Sequence, residues 1–329
     1  MRTKWFIGSM LFLLFMLSAC NSGETAGENE EVNSIESTET SEGSETVESE
    51  QTVTYLGEEY VLPAQIERIV VTGAMEAMED FLVLDVQPIG AMTVGGAFPE
   101  RFESITAQAE PIGEKTEPDL EKILELNPDI ILASTKFPPE VVENLEKMAP
   151  TVKISHIATD WKDNLNFLAT ITGQQEQAET AIHDYEAQLE QSKENIQAVT
   201  EGKNVLSIRV RSGNLYVYPE SVFLNPILYD DLELEVPAVV QAAQAQELIS
   251  IEQLAEINPD FLFIQYADAE NADVTNDVVE ELKNNPILQN VPALKENQTF
   301  VNIIDPLSEG GPSWSRIEFL EKVQEHLVP

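Results

Sequence analysis

The chain of 329 residues, 43% of them hydrophobic, is long enough for two domains of ordinary size with buried cores. It contains 59 Asp and Glu residues against 18 Lys and Arg residues, which gives a formal net charge of -41 at pH 7. Because the chain has few basic residues to neutralise phosphates, nucleic acid is excluded as a partner. Electrostatic docking to an anionic membrane is disfavoured for the same reason. The single cysteine, Cys20, excludes any disulfide within the chain.

The N-terminal residues have the pattern of an export signal. Arg2 and Lys4 precede an apolar run over residues 5–17, which is shorter than the ~20 residues of a membrane span. The run leads into the letters LSAC, which resemble the lipobox of bacterial lipoproteins, with Cys20 as the lipid attachment site. We predict a signal peptide over residues 1–19 and lipid anchoring of the mature protein to the outer face of a cell membrane of Gram-positive type. The alternatives are an uncleaved anchor or a plain secretory signal.

The segment that follows the cysteine is strongly acidic. Residues 21–51 contain Ser, Thr, Gly, Asn and Glu, almost no large apolar side chain and no basic residue. Such a segment cannot bury enough apolar surface to offset the loss of chain entropy on folding, and its like charges keep it extended. We therefore predict a disordered tether over residues 20–51 between the lipid and the folded domain.

The folded part begins near residue 52, and its strands alternate with helices, which predicts an α/β fold with mostly parallel sheets. The predicted elements are an edge hairpin over 54–62, strands over 68–71, 86–92, 152–157, 205–211, 215–218 and 300–304, helices over 74–84, 139–148 and 160–172, and a terminal helix after residue 316.

One unit occurs twice, as DLEKILELNPDIILAS over 119–134 and as SIEQLAEINPDFLFIQ over 250–265. Each copy predicts a short helix, a stop and a buried strand, because Asn can end a helix in the left-handed conformation and the following Pro prevents its continuation. The apolar run after the stop does not alternate, as is typical of a parallel strand covered on both faces. The repeat predicts two similar α/β lobes, over 52–174 and 201–329.

Residues 175–200 predict one long helix between the lobes. Ala178, Ile182, Tyr185 and Leu189 follow at helical spacing, and no Gly or Pro interrupts the segment. A helix of this length spans nearly 40 Å, enough to connect two lobes as a strut. The alternative is an ordinary surface helix of the first lobe.

Motifs of common enzyme classes are missing from the sequence. There is no P-loop, no Gly-x-Gly-x-x-Gly after a strand, no Gly-x-Ser-x-Gly and no His-Glu-x-x-His. The three histidines are His156, His183 and His326, and the last two lie in predicted helices, so a three-histidine metal site is not expected. His156 could approach a ligand, although a hydrogen-bonded core histidine is the simpler interpretation.

Basic residues are rare, and two of them stand close together. Arg209 and Arg211 are two apart on a predicted strand, so both guanidinium groups leave the same face, ~7 Å apart. Each guanidinium forms a planar fork suited to a carboxylate or phosphate, so the pair indicates an anionic ligand. The alternative is an exposed strand face protected by charge.

Other candidate residues lie near predicted strand ends, where open α/β sheets bind their ligands. Lys115 precedes the first repeat copy, Lys136 and Phe137 follow its strand, and Trp161 follows another strand end. The last candidates, Trp314 and Arg316 in a Gly-rich segment, form an aromatic and cationic pair suited to a concave site, with a C-terminal helix cap and a packed Trp as the alternative.

These features together resemble the siderophore-binding lipoproteins of bacterial ABC importers, in the helical-backbone class that includes the vitamin B12-binding proteins. The resemblance covers the chain from about residue 53 to its end. It is closest to Gram-positive members that bind ferric citrate-hydroxamate siderophores of the schizokinen type, through the segments GEKTEPDLEKILELNPDIILASTKFPPE and RVRSGNLYVYPESVFLNPILYDDL. Asp85 departs from the family pattern, which usually has Gly after the first helix.

The resemblance implies a monomeric protein, not an enzyme, with the two-lobed fold of class III periplasmic binding proteins and no cofactor. Its ligand would be a ferric siderophore whose own oxygen atoms hold the iron, so the protein would supply no metal ligand. Family members also present one surface Glu per lobe to the permease, and Glu121 and Glu252 match that role, with solvated helix charges as the alternative. The resemblance implies ionic contacts from Arg209, Arg211 and Arg316 and packing from Trp161, Tyr218 and Trp314.

Other functions remain open at this point. A haem-binding or corrinoid-binding protein of the same fold is the first alternative, and haem would require an axial ligand for which His156 and Met92 are the candidates. An extracytoplasmic enzyme or adhesion module on a lipid tether is a second alternative. Direct capture of ferric citrate is a third.

Overall fold

The computed structural model of the chain describes residues 49–266 and 275–328. The predicted signal peptide, the lipid attachment site at Cys20 and nearly all of the predicted tether lie outside these residues. The described chain forms an α/β structure with sheets of two, six and five strands. The predicted fold class, with two α/β lobes, is confirmed.

The first two strands form a hairpin of their own. Strands β1 (Glu50–Tyr55) and β2 (Glu58–Pro63) pair antiparallel and join no larger sheet among the described residues. The hairpin begins at Glu50, so residues 50 and 51 belong to β1 and not to the predicted tether, because they pair with β2. The prediction of a hairpin was right, but its placement at the edge of a larger sheet was wrong. The reason is packing, because the ring of Tyr55 lies 4.7 Å from that of Phe167, and its hydroxyl donates to Asn164 Oδ1 at 2.5 Å. These contacts hold the hairpin against a helix.

The six-stranded sheet belongs to the first lobe and has the order β6-β5-β4-β3-β7-β8. All neighbouring strands are parallel except β5 and β6, as the sequence predicted. The strands are β3 (Ile69–Thr72), β4 (Gly90–Thr93), β5 (Glu110–Glu114), β6 (Glu117–Pro118), β7 (Ile130–Ser134) and β8 (Thr151–Ile154), and the helices are α1 (Met75–Leu84), α2 (Glu103–Thr106), α3 (Leu120–Leu126), α4 (Pro139–Leu145) and α5 (Trp161–Thr172).

Both faces of the first sheet are covered. Along β7, Ile130 and Leu132 belong to the large core cluster on one face, whereas Ile131 and Ala133 belong to a second cluster on the other face. All four are fully buried, and complete burial of each larger aliphatic side chain contributes ~1.5–3 kcal/mol. This explains why the apolar run does not alternate with polar residues.

The five-stranded sheet of the second lobe has the order β11-β10-β9-β12-β13. It is mixed rather than mostly parallel, because the hairpin at β9 and β10 and the addition of β11 introduce two antiparallel pairings. The strands are β9 (Val205–Arg211), β10 (Asn214–Val217), β11 (Glu247–Ile249), β12 (Phe261–Tyr266) and β13 (Thr299–Val301), and the helices are α7 (Ala238–Ala242), α8 (Ile251–Ile257), α9 (Thr275–Asn284), α10 (Pro292–Lys295) and α11 (Ser313–Leu327).

One helix, α6 (Gln175–Thr200), covers the predicted 26-residue span between the two sheets. It contacts helices from both lobes, since the Tyr185 ring packs edge-on against Trp161 of α5 at 5.4 Å, and Ser192 Oγ donates to Gln324 Oε1 of α11 at 2.9 Å. None of the described helices combines the length and the apolar character needed to cross a bilayer.

The repeated unit folds in the same way in both lobes. Asn127 ends α3 and Asn258 ends α8 in the left-handed conformation, with φ of 44° and 52°. The Asp that follows each Asn-Pro then fixes the neighbouring strand. Asp129 Oδ2 accepts from the backbone N–H groups of residues 67 and 68 just before β3, and Asp260 Oδ2 accepts from the N–H of residue 204 just before β9, each at 2.8 Å. The Asp therefore sets where the adjacent strand enters its sheet.

Asp85, which departs from the family pattern, takes the conformation that glycine would supply. It caps α1 with φ 53° and ψ 43°, and its N–H donates to the carbonyl of Phe81. Asp is one of the few residues with a side chain that tolerate this region, because its short polar group can bond locally. The substitution leaves the turn intact.

Candidate ligand-binding cleft

A cleft of about 500 Å³ lies between the two lobes at the carboxyl ends of their strands. Its first-lobe lining follows β5, β7 and β8. Its second-lobe lining comes from the end of β9, from the segment after β10, from the segment before β11 and from residue 309 before α11. This position agrees with the rule that α/β sheets bind ligands beyond the carboxyl ends of strands. Five of the predicted ligand-binding residues line it, namely Lys115, Lys136, Arg209, Arg211 and Tyr218.

The two arginines of β9 point to the same side, as their spacing predicts. Arg209 is buried, its Nε donates to Gln265 Oε1, and its Nη2 donates to the carbonyl of Ser308 at 2.6 Å. Its guanidinium carbon also lies 4.4 Å from the centre of the Phe223 ring. Burial lowers the pKa of Arg209. The sequence predicts Arg209 as a ligand contact but does not show these partners, which hold its guanidinium group at the cleft.

Arg211 is less enclosed than Arg209. Its Nη1 lies 3.4 Å from Gln246 Oε1, and the hydroxyl of Tyr218 donates to the same oxygen at 2.7 Å. No Asp or Glu among the described residues forms an ion pair with Arg211. Its guanidinium is therefore a cation that an anionic ligand in the cleft can reach.

The two first-lobe lysines converge on one carboxylate. Lys115 Nζ pairs with Glu309 Oε1, and Lys136 Nζ lies 3.2 Å from Glu309 Oε2 and 2.9 Å from Glu76 Oε1. Burial lowers the pKa of Lys136, but the charges of Glu309 and Glu76 outweigh that effect and raise it. The sequence did not single out Glu309, since one carboxylate among 59 acidic residues carries no distinguishing signal.

Arg316 does not line the cleft, in contrast to its predicted ionic contact with the ligand. Helix α11 begins at Ser313 and turns the side chain inward, where it is 1% exposed. Its Nη1 pairs with Asp231 Oδ2, its Nη2 donates to the Ala158 carbonyl at 3.0 Å, and the guanidinium stacks 4.9 Å from the Trp161 ring. The side chain links elements of the two lobes inside the protein.

The remaining aromatic candidates also lie outside the cleft lining. Trp161 is buried and packs on Arg316 and on α6, whereas Trp314 is partly buried near Arg101, with 6.0 Å between the guanidinium carbon and the ring centre. The Phe137 ring packs so closely on Gly73 that a Cβ added there would lie 2.3 Å from it. Their packing partners, which the sequence does not show, account for these positions.

The two candidate haem ligands are not equivalent. His156 lines the cleft, and its Nδ1 lies 2.8 Å from Thr135 Oγ1, whereas Met92 is buried in the core. Burial lowers the pKa of His156. Over residues 49–266 and 275–328, no group of three or more His, Cys, Asp and Glu side chains could hold a metal ion.

Glu121 and Glu252 occupy equivalent positions in the first turns of α3 and α8, and both are exposed. The helix start at Ser250 forms a capping box with Gln253. Hydrogen bonds from its own backbone N–H and from Ser250 lower the pKa of Glu252. Both side chains are accessible to a partner.

Comparison with known proteins identifies the fold family. Residues 95–302 match the family described as periplasmic binding protein. The chain is also 42% identical over 318 residues to the iron-uptake system-binding protein of Bacillus subtilis strain 168, with 97% of this chain and 98% of that relative covered. The chain belongs to the periplasmic binding protein family.

Solved structures agree with this membership. This periplasmic binding protein superposes on the triscatecholate siderophore binding protein FeuA from Bacillus subtilis, complexed with ferri-bacillibactin, with a TM-score of 0.79 and 45% identity. The match covers 84% of this chain and 98% of that chain. The probable siderophore-binding lipoprotein YfiY of the same organism is 28% identical over 301 residues, with 87% of each chain covered. This periplasmic binding protein is a substrate-binding protein and not an enzyme, as the sequence predicts.

Proposed function

We propose that the protein captures a ferric siderophore in the cleft between its lobes and delivers it, outside the cytoplasm, to the permease of an ABC importer. The observation that carries this proposal is the set of four cations that line the cleft, Lys115, Lys136, Arg209 and Arg211, in a chain of net charge -41. The siderophore's own oxygen atoms hold the iron, so the protein supplies charge and contact area rather than metal ligands. We place the ligand contacts at these cations and at Tyr218, and not at Arg316, Trp161, Trp314 or Phe137.

The charge of the cleft favours a triscatecholate ligand. Two of the four cations, Lys115 and Lys136, pair with the carboxylates of Glu76 and Glu309, which leaves the charges of the two arginines as an excess of positive charge. A ferric triscatecholate is trianionic, whereas a ferric citrate-hydroxamate of the schizokinen type is monoanionic. The relative FeuA, at 45% identity, is described as a triscatecholate siderophore binding protein. We therefore replace the citrate-hydroxamate expected from the sequence with a triscatecholate.

A titration against a panel of ligands tests this function. The mature chain is mixed with ferri-bacillibactin, a ferric citrate-hydroxamate, a neutral ferric trishydroxamate, ferric citrate, haem and cobalamin, and the quenching of its tryptophan fluorescence is followed. We expect the tightest binding for ferri-bacillibactin, with an affinity that falls as salt is added, because the contacts are ionic. Tighter binding of haem or cobalamin, or no binding of any ferric siderophore, would reject the proposal.

We further propose that Glu121 and Glu252 dock the protein on the permease. Both are exposed, and they occupy matching positions in the two lobes. Replacement of both by alanine is expected to leave the affinity for the ferric siderophore unchanged and to reduce iron uptake by cells about two- to thirtyfold, since two ion pairs of ~0.2–1 kcal/mol each are lost. The double variant Glu143→Ala with Glu325→Ala, which removes two other exposed carboxylates, is the control. Normal uptake by the first variant would argue against the docking role.

We also propose the remaining features of the cellular form. The mature protein is a monomer held on the outer face of the membrane by lipid at Cys20, with the acidic segment up to the start of β1 at Glu50 as a tether. The lobes extend over 50–174 and 201–329, and the helix over 175–200 connects them. The support is the LSAC pattern in the sequence and the helix α6, which contacts elements of both lobes.

A further inference from the structure

Glu309 is a carboxylate inside a cleft whose other charged side chains are mostly cations. Its side chain is only 11% exposed, and its two oxygens face Lys115 and Lys136, both from the first lobe. An anionic ligand that enters this cleft meets a like charge there. The attraction between the cations and an anionic ligand does not account for a negative charge in this position.

The loop that carries Glu309 is firmly held. The backbone N–H of Glu309 donates to Glu79 Oε1 of α1 at 2.8 Å. A Cβ added at Gly310 would lie 2.9 Å from the side chain of Leu224, and one added at Gly311 would lie 2.4 Å from Ala158 Cβ. Because the backbone is packed this tightly on both sides, it keeps the Glu309 carboxylate in the cleft.

Glu309 is also ionised at neutral pH. Burial alone would raise its pKa, but the charges of Lys115, Lys136 and Arg209 hold the pKa of Glu309 well below its usual range. The cleft therefore contains a permanent negative charge that offsets part of its positive charge. Any anionic ligand is bound against that charge.

We propose that Glu309 sets the charge selectivity of the cleft, an inference that rests on the proposed capture of a ferric siderophore. The carboxylate holds the two lysines together in the empty cleft, where it takes the place of an acidic group of the ligand. When a ligand is bound, the Glu309 carboxylate repels it in proportion to the ligand's negative charge. It therefore weakens the binding of a trianionic complex more than that of a neutral one.

The test compares Glu309→Gln with the unaltered mature chain. Gln keeps the size of the side chain and removes its charge, so ferri-bacillibactin is expected to bind about tenfold more tightly, with a steeper loss of affinity on addition of salt. Glu309→Asp, which keeps the charge, is expected to bind as the unaltered chain does, within about threefold. Glu143→Gln removes an exposed carboxylate that does not line the cleft and controls for the change in net charge.

The outcomes separate this inference from the proposed function. If the unaltered chain binds ferri-bacillibactin and a folded Glu309→Gln variant binds it equally well or more weakly, the selectivity role is overturned and the capture function stands. If the unaltered chain binds no ferric siderophore, the proposed function fails, and the selectivity role fails with it. Circular dichroism and thermal unfolding show whether each variant is folded. If the Glu309→Gln variant is misfolded, a loss of affinity in the Glu309→Asp variant decides against the inference.

Discussion

Replacement of Arg209 and Arg211 together by alanine is expected to weaken the binding of the ferric siderophore by about a hundredfold or more. Both guanidinium groups line the cleft, and each can form charge-assisted hydrogen bonds with an anionic complex. Hydrogen bonds to charged groups are worth ~1.5–3 kcal/mol each, so the loss of two corresponds to about two or more factors of ten. Fluorescence titration with ferri-bacillibactin measures the effect.

The two arginines differ in whether their replacement affects ligand binding alone or also the packing of the protein. Arg209 also donates to Gln265 and to the Ser308 carbonyl, so its loss affects the packing of the second lobe as well. The single variant Arg211→Ala avoids this difficulty, and about a tenfold loss of affinity is expected for it. Lys122→Ala with Lys147→Ala removes two exposed cations outside the cleft and is the matched control for net charge. Unchanged affinity in a folded double arginine variant would contradict the ionic binding of the ligand.

The free energy of unfolding of the protein is expected to fall as pH rises from about 5 to about 8. Asp80→Asn is expected to remove much of this fall. Asp80 is fully buried on α1, and its Oδ1 accepts from Ser313 N at 2.9 Å and from Ser313 Oγ at 2.5 Å, at the start of α11. Burial raises the pKa of Asp80 from 3.8 to about 7, and it likewise raises the pKa of the adjacent Glu79 from 4.5 to about 7.

The direction of the pH effect follows from these raised values. The folded state binds the proton of Asp80 more tightly than the unfolded state, so the free energy of unfolding falls as pH rises from the unfolded pKa to the folded pKa and is level above it. The contribution of Asp80 is on the order of 3 kcal/mol. Asn keeps an oxygen that accepts from Ser313 and carries no charge, so the variant should match the unaltered chain only near the unfolded pKa of Asp80, and its advantage in stability should grow between pH about 5 and pH about 8.

Urea unfolding at the two pH values measures this difference. Asp163→Asn, at an exposed position on α5, removes one carboxylate from the surface and controls for the general effect of the large negative charge. If the Asp80 variant and the unaltered chain lose the same free energy of unfolding between the two pH values, Asp80 is not the group that titrates. Helices α1 and α11 would then be joined by contacts that do not depend on its proton.

The sequence predicts the parts of the fold that depend on local chemistry. Asn127 and Asn258 end their helices in the left-handed conformation, which Asn tolerates, and the Pro after each prevents continuation of the helix. The apolar runs of β7 and β12 are buried as expected. Boundaries were less well predicted where backbone pairing decides them. Strand β4 starts at Gly90 rather than at residue 86, and β13 ends at Val301 rather than at residue 304, because their neighbours pair with these shorter segments only.

The sequence predicts a site residue correctly where spacing along one strand fixes the direction of its side chain. It fails where packing between segments distant in sequence fixes that direction. Alternation along β9 brings Arg209 and Arg211 to one face. Arg316 has the same chemistry, but the start of α11 directs it inward to Asp231, a partner 85 residues away in sequence. Glu309 is equally invisible in the sequence, since its lysine partners lie 194 and 173 residues from it.

The most direct measurement is a crystal structure of the mature chain with ferri-bacillibactin. We expect the ferric complex in the cleft, with its oxygens within hydrogen-bond or ion-pair distance of Lys115, Lys136, Arg209 and Arg211, and with Arg316 still paired with Asp231. A complex seated away from these four cations, or a ligand bound through Arg316 and Trp314, would contradict the central claim that this cleft captures an anionic ferric siderophore by its charge.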